Sequence, residues 1–378
     1  MGPLAGTKVI EIKGIGPGPY AAMLLADLGA DVTVVERSSS FSGLGIPPQM
    51  DVTSRGKKSI ALDVKHPDGL ATLLQLIAKA DVLIEGFRPG VAERLGFGPD
   101  ACHAINPGLV FARLTGWGQT GPLSSAAGHD INYLSIVGVL AAIGGKDAPV
   151  PPLNLVGDYA GGSLFLVVGV LAALLERQRS GQGQVIDAAI VDGAAHMMSP
   201  FYGWRNAGAW QLEREANIID GGAYFYGVFE TKDAKFVSIG PLEPQFYQQF
   251  VDTAGLDKAV FGSQLPPTEW PRLKQQLADE FRKKTQHEWA ALLEGTDCCF
   301  APVLDLEACT GHPHNVARDT YIDLNGHKQP APAPRFSRTP CPTPEAPKPA
   351  GNDADEVLAA IGVSDDEIRR LRENGALT

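Results

Sequence analysis

Six short β-rich runs, separated by helical patterns, constrain this chain more than any other feature of its sequence. They are Thr7–Lys13, Asp31–Glu36 (DVTVVE), the strand-like SIALDVK from Ser59, Asp81–Glu85 (DVLIE), Gly108–Leu114 (GLVFARL) and Gln184–Ile190 (QVIDAAI). Helical patterns occupy Pro19–Leu28 and Pro67–Ala80, and a charge-free apolar run from Tyr159 to Leu175 reads as a fully buried helix. Strands that alternate with helices of this length must pair in parallel, because a crossover returns the chain to the same sheet edge. The class is therefore α/β, with a parallel, doubly wound sheet.

The pattern changes after about Pro200. Ala223–Glu230 and Lys235–Ile239, joined by a turn, predict an antiparallel hairpin. Amphipathic helices follow near Pro244–Ala254, Pro271–Phe281 and Gln286–Leu293, and Cys299–Leu304 suits a returning strand. We place a first part of a large α/β domain at 1–216 and a smaller α+β domain at 217–306. Residues 307–378 then form a connection back to the large domain, Pro- and Ala-dense and extended over 328–350, ending in a helix capped by Ser364 and stopped by Gly375.

Bulk chemistry narrows the function classes. A length of 378 residues suits two domains or one large domain with an insertion. A net charge of -11 argues against nucleic acid or an anionic membrane as the main partner. The five cysteines contain no CxxC pair and the histidines no HExxH, so we expect reduced thiols and no metal. The sequence enters a strand almost at once, and the expected location is cytoplasmic.

Candidate ligand chemistry follows from the basic residues. Arg37 lies just after the second β-run, Arg55, Lys57 and Lys58 precede the third, and Arg88 follows the fourth. Basic groups gathered on one rim of an acidic protein suit a phosphate-bearing ligand, although solvated surface charge explains most such runs. The turn Gly14-Ile15-Gly16-Pro17-Gly18 invites a dinucleotide reading. Its spacing is GxGxG and its prolines remove N–H donors, so nicotinamide binding is the poorer reading. His129 in GHDINY, Asp158 in NLVGDYAGG and Glu243 in GPLEPQFY each have an ordinary structural account: a loop histidine, a helix cap and a first-turn glutamate.

Taken together, these segments resemble the α-methylacyl-CoA racemases within the family III CoA-transferase superfamily. GIGPGPYAAMLLADLGADV, RGKKSIALDVK, ARLTGWGQTGP, AGHDINY, PPLNLVGDYAGG and PAPRFSRTP all read as family segments in family order. The resemblance implies a large Rossmann-like parallel-sheet domain, a smaller α+β domain and an interlocked homodimer with its active site between subunits. It implies that His129 and Asp158 are the acid/base pair, that Glu243 orients the histidine and that Asn154 supports the aspartate. It places CoA contacts at Arg37 and at Ala61, Leu62, Asp63 and Val64. Gly128, Asp130, Ile131, Asn132 and Tyr133 fall near the thioester, and Ile15, Gly16, Pro17 and Arg88 are added as CoA neighbours. CoA would be part of the substrate, with no separate cofactor.

The implied reaction interconverts (R)- and (S)-2-methylacyl-CoA through an enolate, one residue removing the α-proton and the other returning one to the opposite face. His129 would act on the S epimer and Asp158 on the R, with the N–H of Asp158 donating to the enolate oxygen. The main alternative is a family III CoA-transferase that uses Asp158 as nucleophile. An NAD-dependent oxidoreductase and a non-catalytic acyl-CoA binder are the further alternatives.

Overall fold

The computed structural model describes residues 2–37 and 45–378. Six parallel strands form one sheet in the order β3-β2-β1-β4-β5-β6. They are β1 (Lys8–Ile12), β2 (Asp31–Glu36), β3 (Lys58–Ala61), β4 (Val82–Glu85), β5 (Val110–Thr115) and β6 (Val185–Ala189). This is the doubly wound order, whose direction of winding reverses between β1 and β4.

Both sheet faces are buried, which explains why the strands read as near-continuous apolar runs. Leu83 and Phe111 face a core shared with the Pro67–Ile77 helix and the C-terminal residues Val357, Leu358 and Leu371. Val82, Ile84 and Val110 face the other core, against the Pro17–Asp27 helix and Leu166 and Val170. The last residues close the β3 edge, where Thr378 N–H donates to the Ala61 carbonyl at 3.0 Å.

The chain divides into two compact units. One comprises 1–137, 153–197 and 321–378; the other comprises 138–152 and 198–320. The second unit is wider than the 217–306 span expected from composition. Arg214 accounts for part of the difference: its guanidinium donates to the carbonyls of Gly145 (2.7 Å), Ala141 (3.1 Å) and Lys146 (3.1 Å). A tether between residues some seventy positions apart leaves no local signature. Within this unit, β7 (Gly227–Glu230), β8 (Phe236–Ile239) and β9 (Phe300–Val303) form an antiparallel sheet. Its core includes Phe250, Leu273, Phe281 and Trp289. The helices Pro244–Ala254 and Gln286–Leu293 fall where periodicity put them.

The long apolar helix differs from expectation. It runs from Leu155 to Ser180, and its first ten residues, Leu155–Leu164, are wound as a π-helix. It is not fully buried, since Leu164, Val168, Leu171 and Leu175 stand exposed. These residues recur at helical spacing and form one stripe. Absence of charge showed that the run was apolar, not which of its faces was covered.

Candidate active site

A cavity of about 720 Å³ opens at the carboxyl ends of the parallel strands. Its wall takes residues from the turns after β1 (Gly14–Pro17), β4 (Gly86–Pro89) and β5 (Gly116, Trp117), together with Arg37 after β2 and Leu62–Val64 after β3. Ligands of open α/β sheets bind in this crevice, because helix N-termini and strand-end loops converge there. His129, Tyr133 and Asp158 complete the wall.

His129 is exposed and precedes the helix Asp130–Ile136. Its backbone N–H donates to Asn132 Oδ1 at 3.0 Å, which fixes the first turn. Asp158 lies in the opening turns of the Leu155–Ser180 helix, whose N-cap is Asn154. Asn154 Nδ2 donates to Asp158 Oδ2 at 3.3 Å, so the asparagine touches the aspartate. The helix itself is seated by close backbone packing: a Cβ on Gly193 would lie 1.9 Å from the Gly161 carbonyl oxygen.

Burial raises the Asp158 carboxyl above the ordinary aspartate value. The hydrogen bond from Asn154 opposes this, the Asp130 charge adds to it, and His129 opposes it. An acid/base group gains from such a shift, since proton exchange near neutral pH needs a pKa closer to that pH.

The carboxylate also bears on the dinucleotide reading. Gly16, at φ +74°, immediately precedes the Pro17–Asp27 helix, where a pyrophosphate would rest in a nicotinamide-binding fold. A Cβ on Gly16 would stand 3.2 Å from Asp158 Oδ2. The protein's own carboxylate therefore stands beside that turn.

Several expectations need correcting. The N–H of Asp158 donates to Asp130 Oδ1 at 2.7 Å, so it is not free for an enolate oxygen. Asp158 does not hold the N-cap position of its helix; Asn154 holds it, without a side-chain capping hydrogen bond. Arg55, Lys57 and Lys58 do not line the cavity. Arg55 pairs with buried Asp27 at 2.6 Å, Lys57 with buried Glu11 at 2.5 Å, and Lys58 with Asp31 and Glu356. Of the five basic candidates, Arg37 and Arg88 reach the cavity.

The remaining site residues divide in the same way. Ile15, Gly16, Pro17, Leu62, Asp63, Val64, Gly128 and Tyr133 line the cavity, whereas Ala61 is buried in β3. Asp130, Ile131 and Asn132 form the first turn beyond His129 without lining the wall. Glu243 is exposed in the second unit, as N-cap of the Pro244–Ala254 helix. Sequence reasoning missed Trp117, which lines the cavity and meets the Tyr133 ring edge-on at 4.7 Å. A tryptophan among the glycines that follow β5 was the available signal.

Fold and cavity define a doubly wound α/β protein with an ionisable pair at its strand-end crevice. The family model for CoA-transferase family III matches residues 4–354, and the chain belongs to that family. It is 43% identical over 374 residues to the alpha-methylacyl-CoA racemase of Mus musculus, covering 98% of this chain and 96% of the relative. It is 41% identical over 376 residues to that of Homo sapiens, with the same coverage. A crystal structure of a CAIB/BAIF family protein from Brucella suis shares the fold. It has a TM-score of 0.82 at 23% identity and covers 95% of this chain and 99% of that one.

Proposed function

We propose that this protein is an isomerase that interconverts (R)- and (S)-2-methylacyl-CoA thioesters by 1,1-proton transfer. The observation that carries the reading is the placement of His129 and Asp158 on the wall of one strand-end cavity that also holds Arg37 and Arg88. The arginines suit the phosphates of CoA. A thioester acidifies its α-proton, so two side chains of opposite charge type can share removal and return of the proton. The similarity to racemases of two mammals supports the substrate class.

Because Asp130 occupies the Asp158 N–H, the enolate oxygen needs another donor. The N–H of Asp130, the first of the Asp130–Ile136 helix and next in the chain to His129 on the cavity wall, has no acceptor within that helix, and we assign the role to it. Glu243 is assigned to orienting the His129 imidazole, in a homodimer whose active sites lie between subunits. The exposed apolar stripe on the Leu155–Ser180 helix is consistent with a face covered by a second copy. We further propose a cytoplasmic enzyme of lipid and fatty acid metabolism that needs no cofactor beyond the CoA of its substrate.

The test is incubation with an (R)-2-methylacyl-CoA in deuterated water. Loss of optical activity with deuterium uptake at the α-carbon is the expected result. Transfer of CoA to a free acid without exchange would instead assign Asp158 the nucleophile's role of a CoA-transferase.

A further inference from the structure

We propose that Asp130 is a positioning residue, its carboxylate clamping the opening turns of the Asp158 helix to the segment that carries His129. This deepens the racemase reading and rests on it. In an α-helix the N–H of Asp158 would bond to the carbonyl of Asn154, four residues back. The π-helical winding gives that carbonyl to Tyr159 N–H instead, at 3.2 Å. The Asp158 N–H is thereby released, and it donates to Asp130 Oδ1 at 2.7 Å. The N–H of Gly157 also faces this carboxylate and favours its ionised form.

The fit is tight. A Cβ on residue 157 would lie 2.1 Å from Asp130 Oδ1, so a glycine is required for the carboxylate to seat against this backbone. Asp130 directly follows His129 in the chain, and a single side chain therefore joins the two elements that present the acid/base pair. Its carboxylate accepts from the Asp158 N–H, and Asp130 does not line the cavity, which argues against the ligand contact that the resemblance implied. The charge has a second effect. Asp158 faces Asp130, His129 and Tyr133 from one side, with Asn154 on its own helix, and Arg88 acts on Tyr133 from the β4 turn. Within this set Asp130 opposes ionisation of Asp158, in the same direction as burial.

The experiment compares Asp130→Asn with Asp130→Ala in the full-length protein. It measures kcat and KM on 2-methylacyl-CoA, the pH profile in the R-to-S direction, and amide hydrogen exchange over residues 154–160. Alanine removes both acceptors. We expect kcat to fall on the order of 100-fold, as a misplaced reacting group would cause, with KM changed by less than about threefold. Gly157 and Asp158 amides should exchange faster. Asparagine keeps an acceptor but not the charge, so kcat should fall less than about tenfold while the acid limb moves to lower pH. An alanine variant with wild-type kcat and wild-type amide exchange would overturn the proposal. So would a raised KM at unchanged kcat, the mark of a ligand contact. If alanine prevents folding, an unshifted acid limb in the asparagine variant overturns it. Should the wild type show no α-exchange at all, the racemase reading fails, while amide exchange still decides whether Asp130 clamps the helix.

Discussion

Arg55→Ala separates a structural arginine from a ligand-binding one. Arg55 and Asp27 are both buried, with 2% and 1% of their surfaces exposed. The guanidinium donates to Asp27 through Nε at 3.1 Å and Nη2 at 2.6 Å, and through Nη1 to Gln329 Oε1 at 2.9 Å and the Pro330 carbonyl at 2.7 Å. It thus pins β11 (His327–Pro330), which pairs with β10 (Tyr321–Leu324), against the Pro17–Asp27 helix. Truncation strands a buried carboxylate and two acceptors, a loss of about 3–5 kcal/mol for a broken buried pair. In a thermal melt followed by circular dichroism, this corresponds to a Tm lowered on the order of 10 °C.

The deficit depends on pH in a defined direction. Burial already holds the Asp27 carboxyl above its ordinary value while Arg55 pulls it down, so losing Arg55 raises it further. A carboxyl with a raised folded-state pKa favours folding below its unfolded pKa, and that contribution is lost as pH rises through the folded value. The Arg55→Ala deficit should therefore be widest at pH above the raised folded-state value and shrink as pH falls through it. KM for acyl-CoA should not change, whereas Arg88→Ala, which leaves Tm nearly unaltered, should raise KM about 10- to 100-fold through loss of a charge-assisted contact. An unchanged Tm for Arg55→Ala, or a KM rise matching that of Arg88→Ala, would refute the structural assignment.

Other outcomes are equally specific. His129→Ala should abolish α-deuterium uptake from the S epimer, a loss of about 100- to 10,000-fold, and undiminished uptake would remove the histidine from the mechanism. Gly16→Ala places a methyl group beside the Asp158 carboxylate at a positive φ. It should lower kcat on the order of tenfold or more, with a stability cost of about 1–2 kcal/mol; a wild-type kcat would mean that Asp158 tolerates displacement. With Asp158 as base on the R epimer, kcat/KM should fall with acid through a pKa above the usual carboxylate range, because burial raises that group. A limb at the ordinary aspartate value would contradict the burial.

The sequence by itself determined what local chemistry controls. Period and β-branching located all six strands of the parallel sheet, amphipathic period located the helices Pro244–Ala254 and Gln286–Leu293, and a cap residue located the helix begun by Ser364. Family-like segments singled out His129, Asp158 and Asn154 before any geometry was known. Tertiary structure decided which charges are spent on folding and which are left for a ligand. Arg55, Lys57 and Arg88 read alike in sequence, yet two are consumed by buried partners and one faces the cavity. The use of the Asp158 N–H was equally hidden, because its acceptor comes from a segment 28 residues away. Propensity and periodicity act over a few residues, whereas hydrogen-bond partners and covered faces depend on which segments meet. That is why the proposed acid/base pair could be named from the sequence, and the proposed clamp between its two elements only from the fold.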